Sequence, residues 1–346
     1  MLKKLVKRKE FNIFAIIIAV ALLITIINVV TVGNPTFITP SNLIYLVKNN
    51  LVMWILSLGM LLVIISGGID VSIPANITTG TIVIGYIMTG TNLAQTLPAG
   101  VNFIIILLAA CLSCTLIGAL NGLIISKLQI PPIITTLAMQ SIMNGFILWQ
   151  TNGNWITNLP EWFKNFGRIS FFSIPDPSGQ NVGIPIQFLF LIVAIVLTSF
   201  VLRYTLVGRG VYAIGGNRIS AERVGYRPDR ITVFIYAYIG FLAGIAAVAH
   251  TSIVEQVDPN AFTGIDMMVI AAAVIGGASV LGGTGTVFGT VLGSILVAVL
   301  NNGMVLVKIP ALWHKAVLGI VIIVALSIDV IQRKRELAKQ VKVDVE

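Results

Sequence analysis

The sequence has little charge, and what it lacks excludes several classes of protein. Charged residues make up 10% of the chain, against roughly 25% in an average soluble domain, so a soluble globular protein is excluded. Only two cysteines and two histidines occur, and they form no cluster with acidic residues that is typical of a metal site or a catalytic centre. No stretch ends in the glycine–lysine–serine/threonine of an ATP-binding loop. We therefore expect a chain that binds no metal or cofactor of its own and is not an enzyme.

Apolar residues are abundant instead and make up 57% of the chain. A spanning helix needs about 20 mostly apolar residues, and the backbone in lipid must bond to itself, which favours helices. The pattern predicts an all-α membrane protein with about ten transmembrane helices. The predicted spans lie near residues 11–32, 43–66, 73–90, 101–126, 131–150, 184–202, 231–253, 265–281, 285–307 and 310–331.

Basic residues flank these apolar runs unevenly. The net charge of +9 could suggest nucleic acid, but 17 of the 22 lysines and arginines lie on one side of a ten-span arrangement. They occupy the first nine residues, Lys127, the segment 203–230 and the stretch from Arg333 onward. Cytoplasmic segments carry such an excess. We expect a multi-pass protein in contact with lipid and not with nucleic acid, with both termini in the cytoplasm.

Two polar segments interrupt an otherwise continuous apolar chain. Residues 151–183 are rich in asparagine, proline and aromatic residues, and the arrangement of spans places them outside the cell. Residues 203–230 contain six arginines and lie inside. No linker or low-complexity stretch divides the chain, so we expect a single transmembrane domain over residues 1–346.

Asp70 lies where two apolar runs meet. It is the one carboxylate between Glu10 and Glu161, and it follows Gly67 and Gly68, which let a backbone leave helical geometry. The segment therefore predicts a break between two helices. A charge at this depth is costly unless it faces water or a partner. Two interpretations are open: Asp70 lies in a polar pathway through the membrane, or it holds the broken helix through local contacts.

The run 131–150 carries three neutral polar residues in one row. Thr136, Gln140 and Asn144 are four residues apart, which places them on one helical face. Uncharged groups that donate and accept hydrogen bonds could line a path for a neutral polyol, or they could bond to neighbouring helices. We include them with Asp70 as candidate pathway residues.

The internal segment 203–230 has the pattern of a docking surface. Asparagine is a favoured N-cap and glycine a favoured helix stop. Asn217 and Gly225 therefore predict a short helix from about Arg218 to Val224, polar on most faces. Either this helix docks on a soluble partner, or the segment is a solvated loop whose arginines only fix the orientation in the membrane.

Glycine recurs at every fourth position in Gly285, Gly289 and Gly293. Small residues at this spacing let two helices approach closely, so we assign these glycines to helix packing. The preceding residues 276–286 resemble a phosphate-binding loop but lack its lysine. We interpret them as a tight turn.

Several motifs together resemble one known family. They are GMLLVIISGGIDVS at 59–72, RGVYAIGGN at 209–217, AAAVIGGASVLGGTG at 271–285 and LNNG at 300–303. In this order, and over nearly the whole chain, they are similar to permease subunits of bacterial ABC importers for simple sugars, the ribose-type group. The stretch NWITNLP at 154–160 looks more like rhamnose-type or autoinducer-type members.

The resemblance implies a type II ABC importer-like permease fold in the bacterial cytoplasmic membrane, paired as a homodimer or with a similar second subunit. It also implies a separate cytoplasmic ABC ATPase that uses ATP and Mg, and an extracellular sugar-binding protein. The internal segment would be the loop that contacts the ATPase. The residues expected in this coupling role are Arg209, Gly215, Gly216, Asn217, Arg218, Glu222 and Gly225, of which Arg218 stands where the family commonly has an acidic residue.

The expected function is import of a simple sugar by alternating access, with ATP binding pressing the ATPase against residues 215–225. The same fold could import nucleosides or another small solute. An ion-coupled secondary carrier is a further alternative, but such carriers need ionisable residues within the membrane, and Asp70 is the one plausible candidate here.

Overall fold

The computed structural model describes residues 9–33, 35–90, 96–176, 179, 181–310, 312–321, 323–324 and 327. Apart from one two-stranded hairpin, the regular structure of these residues is helical. The elements are α1 (Lys9–Val32), a 3-10 helix (Thr36–Ile38), α2 (Pro40–Ile65), α3 (Ile73–Gly90), α4 (Ala99–Leu128), α5 (Pro132–Thr151), α6 (Glu161–Arg168), β1 (Ser170–Pro175), β2 (Asn181–Pro185), α7 (Phe188–Tyr204), α8 (Leu206–Gly216), α9 (Arg218–Arg223), α10 (Pro228–Val254), α11 (Ile265–Ile275), α12 (Val287–Leu306) and α13 (Leu312–Val321).

Each of the ten predicted spans overlaps a helix. Among the described residues, six helices are long and apolar enough to cross a membrane singly, namely α1, α2, α4, α5, α10 and α12. A seventh span forms if α7 and α8, which meet at 73°, are counted together. The helix α3 has 18 residues, while α11 and α13 are shorter apolar helices. The prediction of an all-α membrane protein is confirmed.

Two span boundaries differ from the prediction. The span predicted over 265–281 ends at Ile275, because Gly276 closes the helix and Gly277 takes a left-handed φ of 92° that begins a turn. The last predicted span, 310–331, is represented by α13, and residues 311, 322, 325, 326 and 328–331 lie outside the described residues. The two termini, for which a cytoplasmic side was predicted, also lie outside them.

Helix α2 occupies the centre of the molecule. Every residue from 51 to 65 is buried, and 89% of the most apolar 18-residue stretch of α2 is buried within the protein. Helix α10 crosses it closely, since a Cβ on Gly59 would lie 2.7 Å from Cγ1 of Ile239. By contrast, only 17% of the corresponding 18-residue stretch is buried in α1, and the same share is buried in α5. These two helices therefore present their apolar side chains outward.

Helices α4 and α10 pack with their backbones in contact. A Cβ on Gly240 would collide with the carbonyl of Cys114, and a Cβ on Gly244 would collide with the backbone of Cys111. Both cysteines are buried and unpaired. They therefore act as small packing residues at this crossing, as small side chains do between membrane helices.

The described part of the polar segment between α5 and α7 forms one helix and a two-stranded hairpin and marks one end of the molecule, here called the hairpin end (α6, β1 and β2). The strands pair antiparallel. Arg168 at the end of α6 donates two hydrogen bonds of 2.9 Å to the carboxylate of Glu255 beyond α10. The contact with Glu255 raises the pKa of the Arg168 guanidinium, and Lys164 lowers the pKa of Glu161. The segment is thus fastened to the helical body.

Candidate functional site

The opposite end of the molecule, here called the arginine-rich end, is built from α8 and α9. Thr205 caps α8 by accepting a 3.0 Å hydrogen bond from the amide of Gly208. Asn217 caps α9 by accepting a 2.9 Å bond from the amide of Ser220. Gly225 has a left-handed φ of 94° after the helix ends. The short helix predicted from Arg218 to Val224 is observed as Arg218–Arg223.

Helix α9 and the exposed side of α8 form a mixed polar and apolar surface. Two apolar side chains stand out, with Ile219 65% exposed and Val224 74% exposed. Sequence reasoning missed both, although an isoleucine inside a six-residue polar helix is a readable signal. The predicted coupling residues that are exposed on this end are Arg209, Gly216, Asn217, Arg218, Glu222 and Gly225. Such a surface suits a protein partner.

Asp229 holds α9 against the helical body. Its carboxylate accepts a 3.1 Å hydrogen bond from Arg218 and lies 3.6 Å from the ammonium group of Lys127 at the end of α4. Asp229 is in the first turn of α10, so one carboxylate joins three helices. The pairs are partly exposed and individually weak, and their effect is to orient α9 rather than to stabilise the fold.

Gly215 is the one predicted coupling residue that is directed inward. A Cβ there would collide with the carbonyl oxygen of Ile65, the last residue of α2, and would lie 2.6 Å from the amide nitrogen of Gly283. A Cβ on Gly282 would in turn lie 2.6 Å from the carbonyl oxygen of Gly215. The amide of Gly283 donates a 2.8 Å hydrogen bond to Ile65. We call these four residues the glycine junction.

Tyr212, one turn earlier in α8, adds a second link to the same loop. Its hydroxyl donates a 2.9 Å hydrogen bond to the carbonyl oxygen of Gly285. The glycine junction and this bond connect α8 to the end of α2 and to the turn between α11 and α12. The phosphate-loop-like stretch 276–286 therefore serves as a contact for α8. Neither the position nor the partner of Tyr212 was predicted.

The three glycines at every fourth position contact two different elements. A Cβ on Gly289 would collide with the carbonyl oxygen of Gly276, and one on Gly293 would collide with that of Ala272, so both face α11. Gly285 instead faces α2, where its Cβ would lie 2.9 Å from Leu61. These contacts are of the kind that small residues permit between helices.

Asp70 lies in the break between α2 and α3 and is fully buried. Its Oδ1 accepts hydrogen bonds from the amide of Ser72 at 2.8 Å and from the hydroxyl of Ser72 at 2.6 Å. Asn121 of α4 donates a 2.9 Å bond to the same hydroxyl. The carboxylate thus closes a local turn of the type that aspartate favours, while its Oδ2 has no hydrogen-bond partner among the described residues.

The predicted row on α5 is divided by its surroundings. Thr136 is fully buried and accepts a 3.1 Å hydrogen bond from the amide of Val71, so the structure brings it together with Asp70 at the helix break. Gln140 is half-buried and Asn144 is exposed. Only these two residues continue along an open face of α5, toward the hairpin end.

Similarity to known proteins identifies the family of this chain. The family model described as "branched-chain amino acid transport system / permease component" matches residues 42–326. The chain belongs to this permease family. The match includes the helix break at Asp70, α8, α9 and the glycine junction. No solved structure matches the permease.

Several curated proteins are similar to this permease over most of its length. The ribose import permease protein RbsC of Bacillus subtilis (strain 168) is 32% identical over 309 residues, which cover 89% of this chain and 90% of that protein. RbsC of Escherichia coli (strain K12) is 29% identical over 307 residues, covering 89% and 91%. The autoinducer 2 import system permease protein LsrC of Photorhabdus luminescens is 32% identical over 278 residues, covering 80% and 78%.

Within the described residues, no group of three or more histidine, cysteine, aspartate or glutamate side chains is placed to hold a metal ion. The two features that stand out are the exposed surface of α8 and α9 and the junction that joins it to α2.

Proposed function

We propose that this permease is the membrane subunit of an ATP-driven importer for a simple sugar. The observation that carries the proposal is the similarity over 89% of the chain to the ribose import permeases. The autoinducer 2 relative, at 32% identity, makes autoinducer 2 the second candidate solute. The permease itself performs no chemistry in this proposal.

The energy comes from a separate cytoplasmic ABC ATPase, which binds ATP and Mg. The exposed surface of α8 and α9 would bind this ATPase through polar residues around Ile219 and Val224. The arginines of 203–230 favour the cytoplasmic side for this end. Both termini then lie in the cytoplasm of a bacterium, and the hairpin end, with residues 151–183, faces an extracellular sugar-binding protein.

The pathway forms between this permease and a second subunit, identical or similar. Gln140 and Asn144 are polar residues on a largely apolar, outward-facing helix, and such residues usually face a cavity or a partner. The contacts of Asp70 support a holding role at the helix break, because its Oδ1 is engaged by Ser72. An ion-coupling role would need this carboxylate to be reachable by solvent.

Coupling passes through the glycine junction. When the ATPase moves α8, the backbone of Gly215 presses on the end of α2 and on the turn at Gly283, since no side chain separates them. Close-packed contacts of this kind transmit displacement rather than absorb it. Movement at the cytoplasmic face is thereby passed to the centre of the molecule.

The test is reconstitution of the permease with its ATPase and binding protein in liposomes. We expect ATP-dependent uptake of labelled ribose or autoinducer 2, and no uptake with an ATPase that lacks its Walker lysine. Labelled leucine is tested as the alternative solute, because the family description names branched-chain amino acids. ATP-dependent uptake of leucine and not of ribose or autoinducer 2 would contradict the proposed solute class. Uptake driven by an ion gradient without the ATPase would refute the proposal.

A further inference from the structure

An amide-lined groove lies in the hairpin half of the molecule, away from Asp70 and the glycine junction. It is a cavity of about 280 Å³ between α2, α11, α12 and α13. Its polar lining consists of Tyr45, Asn49, Asn50, Asn301, Asn302 and His314. The sequence motif LNNG at 300–303 supplies two of these amides, and no role has been assigned to it above.

Part of this lining has unused hydrogen-bonding capacity. Asn302 is engaged in a reciprocal pair with Asn42, at 3.0 and 2.9 Å. The side chain of Asn49, in contrast, has no hydrogen-bond partner within the described part of the chain, and the side chain of Asn301 makes only a 4.0 Å contact with the sulfur of Met268. Two amides therefore present free donors and acceptors to the groove.

The groove lies part-way along α2 and α12, which are long and apolar enough to cross a membrane. Asn50 is ten residues into α2, which corresponds to about 15 Å along the helix, and the hydrocarbon core is about 30 Å thick. Asn301 is five residues before the end of α12, or about 8 Å. An amide that faces hydrocarbon loses its hydrogen bonds with water. Free amides at this depth indicate a surface that faces water or a polar ligand.

The chemistry of the lining selects the ligand. No lysine, arginine, aspartate or glutamate lines the groove, so a cation would find no opposite charge. The one basic side chain in the lining is His314, which has a ring nitrogen 3.1 Å from the carbonyl oxygen of Ile309. Amides donate and accept hydrogen bonds, as hydroxyl groups also do. The ring of Tyr45, 58% exposed, adds a flat apolar face. The volume is near the lower end of small-molecule sites, roughly 300–1,000 Å³.

We propose that this groove is a binding subsite for a neutral, hydroxyl-rich solute on its way through the membrane, with Asn49 and Asn301 as the residues that contact it. The inference rests on the proposed import of a sugar and adds a location and a residue set to it. A weak site of neutral amides also allows release, which a transport pathway requires.

The first test measures what the groove faces. Asn301→Cys in the full complex in proteoliposomes is treated with a charged, membrane-impermeant methanethiosulfonate and with a lipophilic maleimide. Leu108→Cys is the control, because Leu108 is 64% exposed on the apolar face of α4. The unmodified chain gives the background from Cys111 and Cys114, which are buried.

We expect Asn301→Cys to react with the charged reagent and to be protected by ribose-loaded binding protein, while Leu108→Cys reacts with the maleimide alone. Reaction of Asn301→Cys with the maleimide alone would place the groove against lipid and overturn the proposal. A disulfide between two copies of Asn301→Cys, with no labelling, would make it a subunit seam and refute the subsite. Labelling without protection by ribose would also refute it, because the groove would then be filled with water and bind no ribose.

The second test separates this inference from the proposed function. Asn301→Leu and Asn49→Leu should each reduce ribose uptake about fivefold, as expected for one lost hydrogen bond, while Asn301→Gln keeps most of it. ATPase activity stimulated by the binding protein verifies that the complexes assemble. If the unmodified complex imports ribose and both leucine variants import it equally well, the groove is refuted alone. If the unmodified complex imports no sugar, the proposed function itself fails.

Discussion

Replacement of Gly215 by alanine tests the glycine junction directly. The added methyl group would collide with the carbonyl oxygen of Ile65 and lie 2.6 Å from the amide of Gly283. Both obstacles are backbone atoms, so relief requires α8, the end of α2 or the turn at Gly283 to move. At the neighbouring Gly216, a Cβ would meet no atom within 4 Å, which makes Gly216→Ala the matched variant for packing.

The size of the effect follows from three contributions. Overpacking costs about 1–3 kcal/mol, and loss of the bond from Gly283 to Ile65 costs about 1 kcal/mol. Removal of a glycine from a helix returns up to about 1 kcal/mol. We expect Gly215→Ala to destabilise the permease by roughly 1–3 kcal/mol, whereas Gly216→Ala is neutral or stabilising by up to about 1 kcal/mol.

The assay has two readouts. Thermal unfolding of the solubilised permease should show a lower apparent Tm for Gly215→Ala and an unchanged or higher one for Gly216→Ala. In proteoliposomes, the ATPase in complexes with Gly215→Ala should still hydrolyse ATP, but these complexes should import less sugar per ATP. We also expect Gly216→Ala to uncouple ATP hydrolysis from uptake, because Gly216 lies on the exposed surface proposed to contact the ATPase. With an unchanged Tm, its loss of uptake would be assigned to that surface and not to packing within the permease. Normal Tm and normal coupling in Gly215→Ala would refute the role of the junction.

Three further predictions concern side chains. Asp70→Asn should assemble and import solute, because an amide oxygen can still accept from Ser72, while Asp70→Leu should give little monodisperse protein; loss of transport in well-folded Asp70→Asn would instead favour ion coupling. Asn217→Ala should remove about 1 kcal/mol of capping from α9 and speed proteolysis there while uncoupling ATP hydrolysis from uptake; unchanged cleavage would contradict this. Arg168→Gln should free the hairpin end for proteolysis at low salt, and the difference from the unmodified permease should shrink in high salt; equal cleavage at low salt would show that the pair with Glu255 holds nothing.

Sequence predicted the parts of this fold that depend on local composition. A run of about 20 apolar residues marks a spanning helix wherever it lies, so every predicted span overlaps a helix. The cap at Asn217 was predictable for the same reason, because its side chain bonds to a backbone only three residues away. The end of α11 at Ile275 was not predicted. Apolar residues follow Gly276 and Gly277, and the predicted span therefore continued to residue 281.

Contacts between distant segments could not be predicted. Ile65, Gly215 and Gly283 meet although about 70 to 150 residues separate neighbours along the chain, and a single sequence contains no signal for such pairs. The row on α5 illustrates the same limit, because periodicity placed Thr136 with Gln140 and Asn144 on one face. It could not reveal that Thr136 is buried against the segment between α2 and α3, where the amide of Val71 bonds to it.

The enclosure of α2 has a consequence for how the protein is made. Its closest partner, α10, follows it by some 180 residues, as the contact of Gly59 with Ile239 illustrates, and synthesis at about 5–20 residues per second needs roughly 10–40 s to reach it. During that interval α2 must remain in lipid without the protein that later surrounds it. Its apolar composition is thus a requirement of insertion as well as of packing. A polar substitution that the folded core would tolerate would still impair the insertion of α2 into the membrane during synthesis.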